Sequence, residues 1–251
     1  MGGCGGDRPP GEGEGGQGVE VRNIAMIGAG VMGHGIAQVF ATAGYNVRLY
    51  DIRAEALTAA LERIERGRYG LLRAAERGKL SDSQIETTLA RITPTTDLAA
   101  ACADADLVVE AVPEAPPRAI LASNPSGFPI VGLAYATNRP ARVIGWHWSS
   151  PVPVMRLAEI AVHPETADEV RETIIDVATR AGKNPVVIND TARHWGFVAN
   201  RILMAVVREG RQIVAEGIAT PEQVDELLKD CFRWPVGPFE MTGGRTRQGW
   251  E

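Results

Sequence analysis

Two rhythms of apolar residues run along this chain. Short apolar runs alternate with stretches in which apolar residues return every three or four positions. The first is the mark of buried strands and the second of amphipathic helices. The runs predict strands over 21–27, 45–50, 91–95, 107–112, 119–122, 142–146, 155–160 and 185–188. The helical spacing predicts helices over 31–43, 54–77, 81–90 and 98–103, and one beginning at Thr166 and ending at Gly182. Gly44, Gly78 and Gly182 stand where helix ends favour glycine. Ser81 with Gln84, Thr166 with Glu169 and Thr220 with Gln223 have capping-box spacing, and Pro221 follows the last of these caps. From Phe197 onward only the helical rhythm remains. The pattern predicts an α/β fold, a Rossmann-type doubly wound sheet with a helical hairpin inserted between the second and third strands. A shortened all-helical C-terminal domain follows. The expected domains are 19–189 and 190–251, with the boundary near Asp190, and no segment repeats another.

The first strand runs into IGAGVMGHG, which spaces Gly28, Gly30 and Gly33 as G-x-G-x-x-G. Gly28 permits a tight turn, Gly30 lets a pyrophosphate approach the backbone, and Gly33 lets the helix pack closely on the strand. The intervening Ala29, Val31 and Met32 would present N–H groups at a helix N-terminus, where an anion is favoured. Asp51 closes the second strand, placed to bind a ribose 2′-hydroxyl. Its carboxylate would repel a 2′-phosphate, so the expected cofactor is NAD. Arg53, two residues on, weighs slightly the other way.

The first eighteen residues are half glycine and predict a disordered tail, without the apolar core of a signal peptide. Cys4, Cys102 and Cys231 form neither a disulfide framework nor a metal-spacing motif, which points to a reducing, cytoplasmic setting and no metal. The net charge of −5 argues against non-specific nucleic-acid binding. No apolar run reaches the ~20 residues that span a bilayer. Arg63, Arg66, Arg68, Arg73, Arg77 and Lys79 crowd the predicted hairpin. They fit either a solvated face or an arm for a phosphorylated substrate.

Of the four histidines, His34 lies in the glycine turn, His163 in a loop before a proline, and His194 in the segment TARHWGF. His147 stands at the end of the sixth strand, where open α/β sheets hold ligands. Glu159 interrupts an apolar strand and calls for a partner. A carboxylate–imidazole pair is one way to orient a general base and raise its pKa.

Eight segments in series, IAMIGAGVMGHGIAQVFATAGYNVRLYD, ARITPTTDL, DLVVEAVPE, ILASNPSG, RVIGWHW–PVPVMRLAEI, GKNPVVIND, GFVANRILM and WPVGPFEM, resemble the L-3-hydroxyacyl-CoA dehydrogenase family from about residue 21 to 241. The resemblance implies NAD, an acyl-CoA substrate, a helical domain that forms a homodimer, and a place in fatty acid metabolism. It puts the catalytic histidine and its glutamate on His147 and Glu159. Ser126 and Asn200 fall on the positions that hold the substrate oxygen. Glu110 and Ser126 fall near the cofactor, Ser150 takes the place of a cofactor-contacting asparagine, and the basic hairpin falls on the region that meets CoA.

Four departures qualify it. A helix of the family between the fourth and fifth strands has no counterpart near 114–118, where PEAPPR is the only link. A parallel pair is not expected to be joined by so short a link, so one sheet face should lie bare beside the nicotinamide. Trp146 and Trp148 flank His147, with Ser150 following; DTARHWGF lengthens the approach to Asn200; and the chain ends soon after GPFEM, which implies less dimer interface. The alternatives to an active enzyme are a relic that keeps only nucleotide binding and a dehydrogenase of free hydroxy acids or sugar acids.

Overall fold

The computed structural model describes residues 20–109, 118–124, 129–191 and 196–242; the expected N-terminal tail lies outside them. Eight strands form one sheet: β1 Asn23–Ile27, β2 Asn46–Tyr50, β3 Ile92–Thr95, β4 Leu107–Val109, β5 Ile120–Ser123, β6 Val143–Trp148, β7 Leu157–Val162 and β8 Asn184–Asn189. Their order across the sheet is β3-β2-β1-β4-β5-β6-β7-β8. Every neighbouring pair is parallel except β6 and β7. The chain winds outward through β2 and β3, then returns to the other side of β1. That reversal opens a crevice above the strand C-termini between β1 and β4, the place where such sheets take a ligand.

Helix α1, Gly33–Thr42, lies on one face and buries Ile36, Ala37, Phe40 and Ala41. Its Phe40 meets Tyr45, Trp146 and Trp148 edge-on, and the two indoles stack at 4.6 Å. Because side chains alternate along a strand, Trp146 and Trp148 face α1 while His147 points to the opposite face.

The hairpin between β2 and β3 is present, but the helix expected over 54–77 is broken into α2, Ala54–Arg66, and α3, Leu71–Glu76. At Gly67 the chain turns to extended backbone, and a Cβ there would collide with the carbonyl of Arg63. The apolar rhythm runs on through the break because Leu71 returns to the core. Helix α4, Asp82–Ala90, has both halves of its capping box: Gln84 N–H donates to Ser81 Oγ at 3.3 Å, and Ser81 N–H donates to Gln84 Oε1 at 2.8 Å. Helix α5, Leu98–Cys102, is capped by Asp97.

Two expectations about the middle of the chain are corrected. Strands β4 and β5 are adjacent and parallel, with Leu107 opposite Ile120, despite the short link. Residues 110–117, including most of the expected gap, lie outside the described residues. The face expected to be bare is covered. Val108, Ala119 and Leu121 are buried in a cluster with Ile130 and Ala134, which lie on a helix the apolar pattern did not predict: α6, Ile130–Tyr135. Asp190, from the far end of β8, accepts the N–H groups of Ile130 and Val131 at 2.6 and 3.2 Å and satisfies that helix start.

Helix α7, Asp168–Arg180, begins two residues later than predicted, and the Thr166–Glu169 box does not form. Thr166 Oγ1 instead accepts from His163 N–H and donates to the carbonyl of Val143, and Glu169 pairs with Arg142 at 2.9 Å. The remaining helices are α8, Val198–Ala215, α9, Pro221–Phe232, and α10, Pro238–Thr242. Thr220 and Gln223 close the predicted box on α9. Buried Asp225 on α9 accepts the N–H groups of Phe239 and Glu240, both at 2.8 Å, and so clips α10 to α9.

Candidate active site

The crevice begins at the glycine turn. Gly28 has φ +97°, and its N–H donates to the Tyr50 carbonyl at 2.8 Å, which ties the end of β1 to β2. A Cβ on Gly33 would collide with the carbonyl oxygen of Gly28, so only glycine lets α1 start this close to the strand. Nothing lies within 4 Å of the position a Cβ would take on Gly30. Met32, at the N-cap, makes no side-chain hydrogen bond to the helix start, which leaves N–H groups there for an anion.

Asp51 is held at the same edge. Its Oδ2 accepts from Ala29 N–H at 3.0 Å and its Oδ1 from Arg53 N–H at 3.1 Å. Burial works to raise its pKa, but these two N–H groups and the Arg53 guanidinium outweigh it and hold the carboxyl below its ordinary value. An ionised carboxylate with lone pairs to spare suits a ribose hydroxyl. Turn, open approach, helix start and acid together fit a nicotinamide dinucleotide.

The second centre lies on β6 and β7. His147 and Glu159 are direct partners in the antiparallel register, on strands that run longer at one end and start later than the pattern predicted. His147 Nδ1 lies 3.1 Å from Glu159 Oε2. The Glu159 side chain is 3% exposed and that of His147 12%, so the pair is largely shielded from water. Glu159 Oε1 accepts from Val198 N–H at 2.5 Å and Ala199 N–H at 3.4 Å, at the N-terminus of α8. A buried carboxylate with three donors has its charge compensated. A carboxylate only accepts, so this contact runs from Nδ1–H to Oε2 and leaves the Nε2 lone pair outward. Asn200 Nδ2 stands 3.5 Å from that Nε2, at the limit of hydrogen-bond reach.

Of the site residues predicted from sequence, Gly28, Ala29, Gly30, Val31, Met32, Gly33 and Asp51 gather at the crevice, and His147, Glu159 and Asn200 gather at the second centre. Ser150 lines a cavity of about 110 Å³ with Val31, His34 and Arg63. Glu110 and Ser126 lie outside the described residues, as does His194. Arg63 and Arg68 reach that small cavity, while Arg73, Arg77 and Lys79 line a separate groove of about 480 Å³; Arg66 pairs with its neighbour Glu65. His34 donates from Nδ1 to the Gly30 carbonyl at 2.8 Å, and burial chiefly pushes its pKa down.

Sequence reasoning missed three neighbours. Phe197 stacks on the His147 ring at 4.3 Å; its spacing of three from Asn200 puts both on one side of the α8 start and was the available signal. Asn124 Oδ1 accepts from Trp148 N–H at 3.2 Å, beside the histidine. Lys183 is buried under the β6–β7 turn, and only its place before an apolar strand could have marked it. Among the described residues no cluster could hold a metal ion, and no helix is long and apolar enough to cross a membrane.

A dinucleotide crevice beside a carboxylate-held imidazole defines an NAD-binding oxidoreductase of the Rossmann type. Comparison with known proteins narrows this. The chain matches the NAD-binding domain of 3-hydroxyacyl-CoA dehydrogenase over residues 23–191 and the C-terminal domain of that enzyme over 196–243. A probable 3-hydroxybutyryl-CoA dehydrogenase of Deinococcus radiodurans is 42% identical over 233 residues, 87% of this chain and 81% of the relative. One of Bacillus subtilis is 39% identical over 238 residues, 89% of this chain and 80% of the relative. The crystal structure of an Escherichia coli 3-hydroxybutyryl-CoA dehydrogenase superposes with a TM-score of 0.81 at 38% identity, covering 89% of this chain and 49% of that one. The chain belongs to the 3-hydroxyacyl-CoA dehydrogenase family, and its cofactor is NAD.

Proposed function

We propose that this chain interconverts an L-3-hydroxyacyl-CoA and the 3-oxoacyl-CoA, with His147 as general base and Glu159 as the group that holds it. The observation that carries this reading is the contact of the imidazole Nδ1 with the buried Glu159 carboxylate at 3.1 Å. Glu159 accepts a hydrogen bond from Nδ1–H, which stays on the ring, so Nε2 is the atom left to accept a proton from the C3 hydroxyl. Bound nicotinamide supplies the hydride acceptor. As the hydroxyl proton moves to Nε2, the ring becomes cationic between Glu159 and the substrate. The buried carboxylate stabilises that cation without rearranging, since Val198 and Ala199 N–H groups already fix it. Asn200, beside Nε2, donates to the C3 oxygen, and Ser126 is assigned the same task. Phe197, stacked on the ring at 4.3 Å, restricts the imidazole. In the reverse direction the protonated His147 is the general acid.

The basic hairpin is the proposed CoA arm. Arg63 and Arg68 stand beside the crevice, and Arg73, Arg77 and Lys79 continue the positive surface. The helical part from about Asp190 is the proposed dimer-forming domain. Val198, Ile202, Met204, Leu227 and Phe232 are exposed on α8 and α9, which supports a homodimer. Mixing the protein with acetoacetyl-CoA and NADH and following the reduced-nicotinamide absorbance tests the reaction. Turnover of the thioester is expected. Turnover of free acetoacetate alone, or NADH binding without turnover, contradicts the proposal.

A further inference from the structure

We infer that Lys183 is a positioning residue for the cofactor crevice, its ammonium fixing the turn between β6 and β7 against the first turn of α1. Lys183 is 7% exposed. Its Nζ donates to the carbonyl of Val152 at 2.5 Å and to that of Met155 at 2.9 Å, and stands 5.7 Å over the Trp148 ring. A buried ammonium is expensive unless its donors are used, and here two of three go to one short turn while the ring faces the charge.

That turn is a wall of the crevice. Val152 is buried, and a Cβ added at Gly35 would meet Val152 Cβ at 3.2 Å and Pro153 Cδ at 3.4 Å, so turn and helix are in contact just past the glycine motif. Ser150 and Pro151 close the small cavity opposite Val31 and His34. The same turn joins the strand that carries His147 to the strand that carries Glu159. One ammonium therefore ties the cofactor wall to the hairpin of the base. The effect on kcat rests on the proposed roles of His147 and Glu159; the effect on cofactor affinity does not, so the two can fail separately.

The charge of Lys183 is itself poised, since burial lowers its pKa to about 8. Around it stand Arg180 and its partner Asp176 on α7, Arg156 before β7, and Arg73, Arg77 and Lys79 of the hairpin. The bonds to the two carbonyls are charge-assisted at neutral pH and become weaker, neutral ones as pH rises through that value.

The test is NADH fluorescence titration of Lys183→Met and Lys183→Cys, the latter before and after treatment with bromoethylamine. The thiolate displaces bromide and leaves a thioether with a lysine-like ammonium; the parent protein is treated alike as control for its own cysteines. Loss of charged hydrogen bonds to the turn is expected to weaken NADH binding about tenfold in Lys183→Met and in untreated Lys183→Cys. Treatment should return Lys183→Cys to within about twofold of the treated parent. NADH affinity of Lys183→Met within about twofold of the parent overturns the inference, whether or not thermal stability falls. If the variants do not fold, the parent decides: its NADH affinity must fall severalfold from about pH 7 to about pH 9.5, and a flat profile overturns the inference.

Discussion

Glu159 is a buried carboxylate with every oxygen engaged, by His147 on one side and by the start of α8 on the other. Exchanging it for glutamine keeps the shape and removes the charge that fixes the imidazole tautomer. Glu159→Gln is therefore expected to lower kcat by about 10²–10⁴ while NADH affinity stays near that of the parent. Steady-state rates with a fluorescence titration separate the two. Asp51 makes a complementary prediction. Its neutral replacement, Asp51→Asn, loses one of two acceptor oxygens, the charge that strengthens a bond to a ribose hydroxyl, and the repulsion of a 2′-phosphate. NADH affinity should drop about tenfold and the preference over NADPH should narrow, measured by titrating both cofactors. At this scale most of the site was legible in the sequence. The glycines and Asp51 were readable because the motif is local, and Glu159 because a lone carboxylate in an apolar strand needs an explanation. Phe197, Asn124 and Lys183 were not, since each reaches its partner only through the assembled sheet.

At the scale of elements, the β1–turn–α1 unit is the most tightly specified. Gly33→Ala places a methyl group against the Gly28 carbonyl, where backbone has to move. NADH binding should be lost, and thermal unfolding should shift down by several degrees, as for about 1–3 kcal/mol of overpacking. The capping boxes on α4 and α9 were legible because both partners sit in one turn. The Thr166–Glu169 pair has the same spacing and a different outcome, because Val143 and Arg142 on the neighbouring strand segment capture the two side chains. The break at Gly67 and the helix α6 were hidden for opposite reasons. Core-facing residues continue in phase past the break, whereas α6 is too short to show a period and is held by Asp190 from sixty residues away.

For the whole molecule, the sheet order and the closed β4–β5 pair rest on contacts between distant segments, so the pattern of apolar residues indicated a doubly wound fold without its antiparallel β7 or its covered face. Lys183 gives this scale its own prediction. Its folded pKa of about 8 lies below the ordinary 10.5, so between those values the unfolded chain binds more protons than the folded one. Stability contributed by this group therefore rises with pH across that window. It is lost again as pH falls through the folded value. Urea unfolding of parent and Lys183→Met at several pH values should show this rise in the difference between them, while NADH affinity of the parent moves the opposite way. A difference that is flat across the window contradicts the assignment.

The proposed proton transfer depends on the imidazole between Glu159 and Asn200. The most direct measurement is kcat for acetoacetyl-CoA reduction by His147→Gln, alongside its NADH affinity. A loss of at least about 10²-fold in kcat with NADH affinity near the parent value is the predicted result. A variant that turns over as fast as the parent contradicts it.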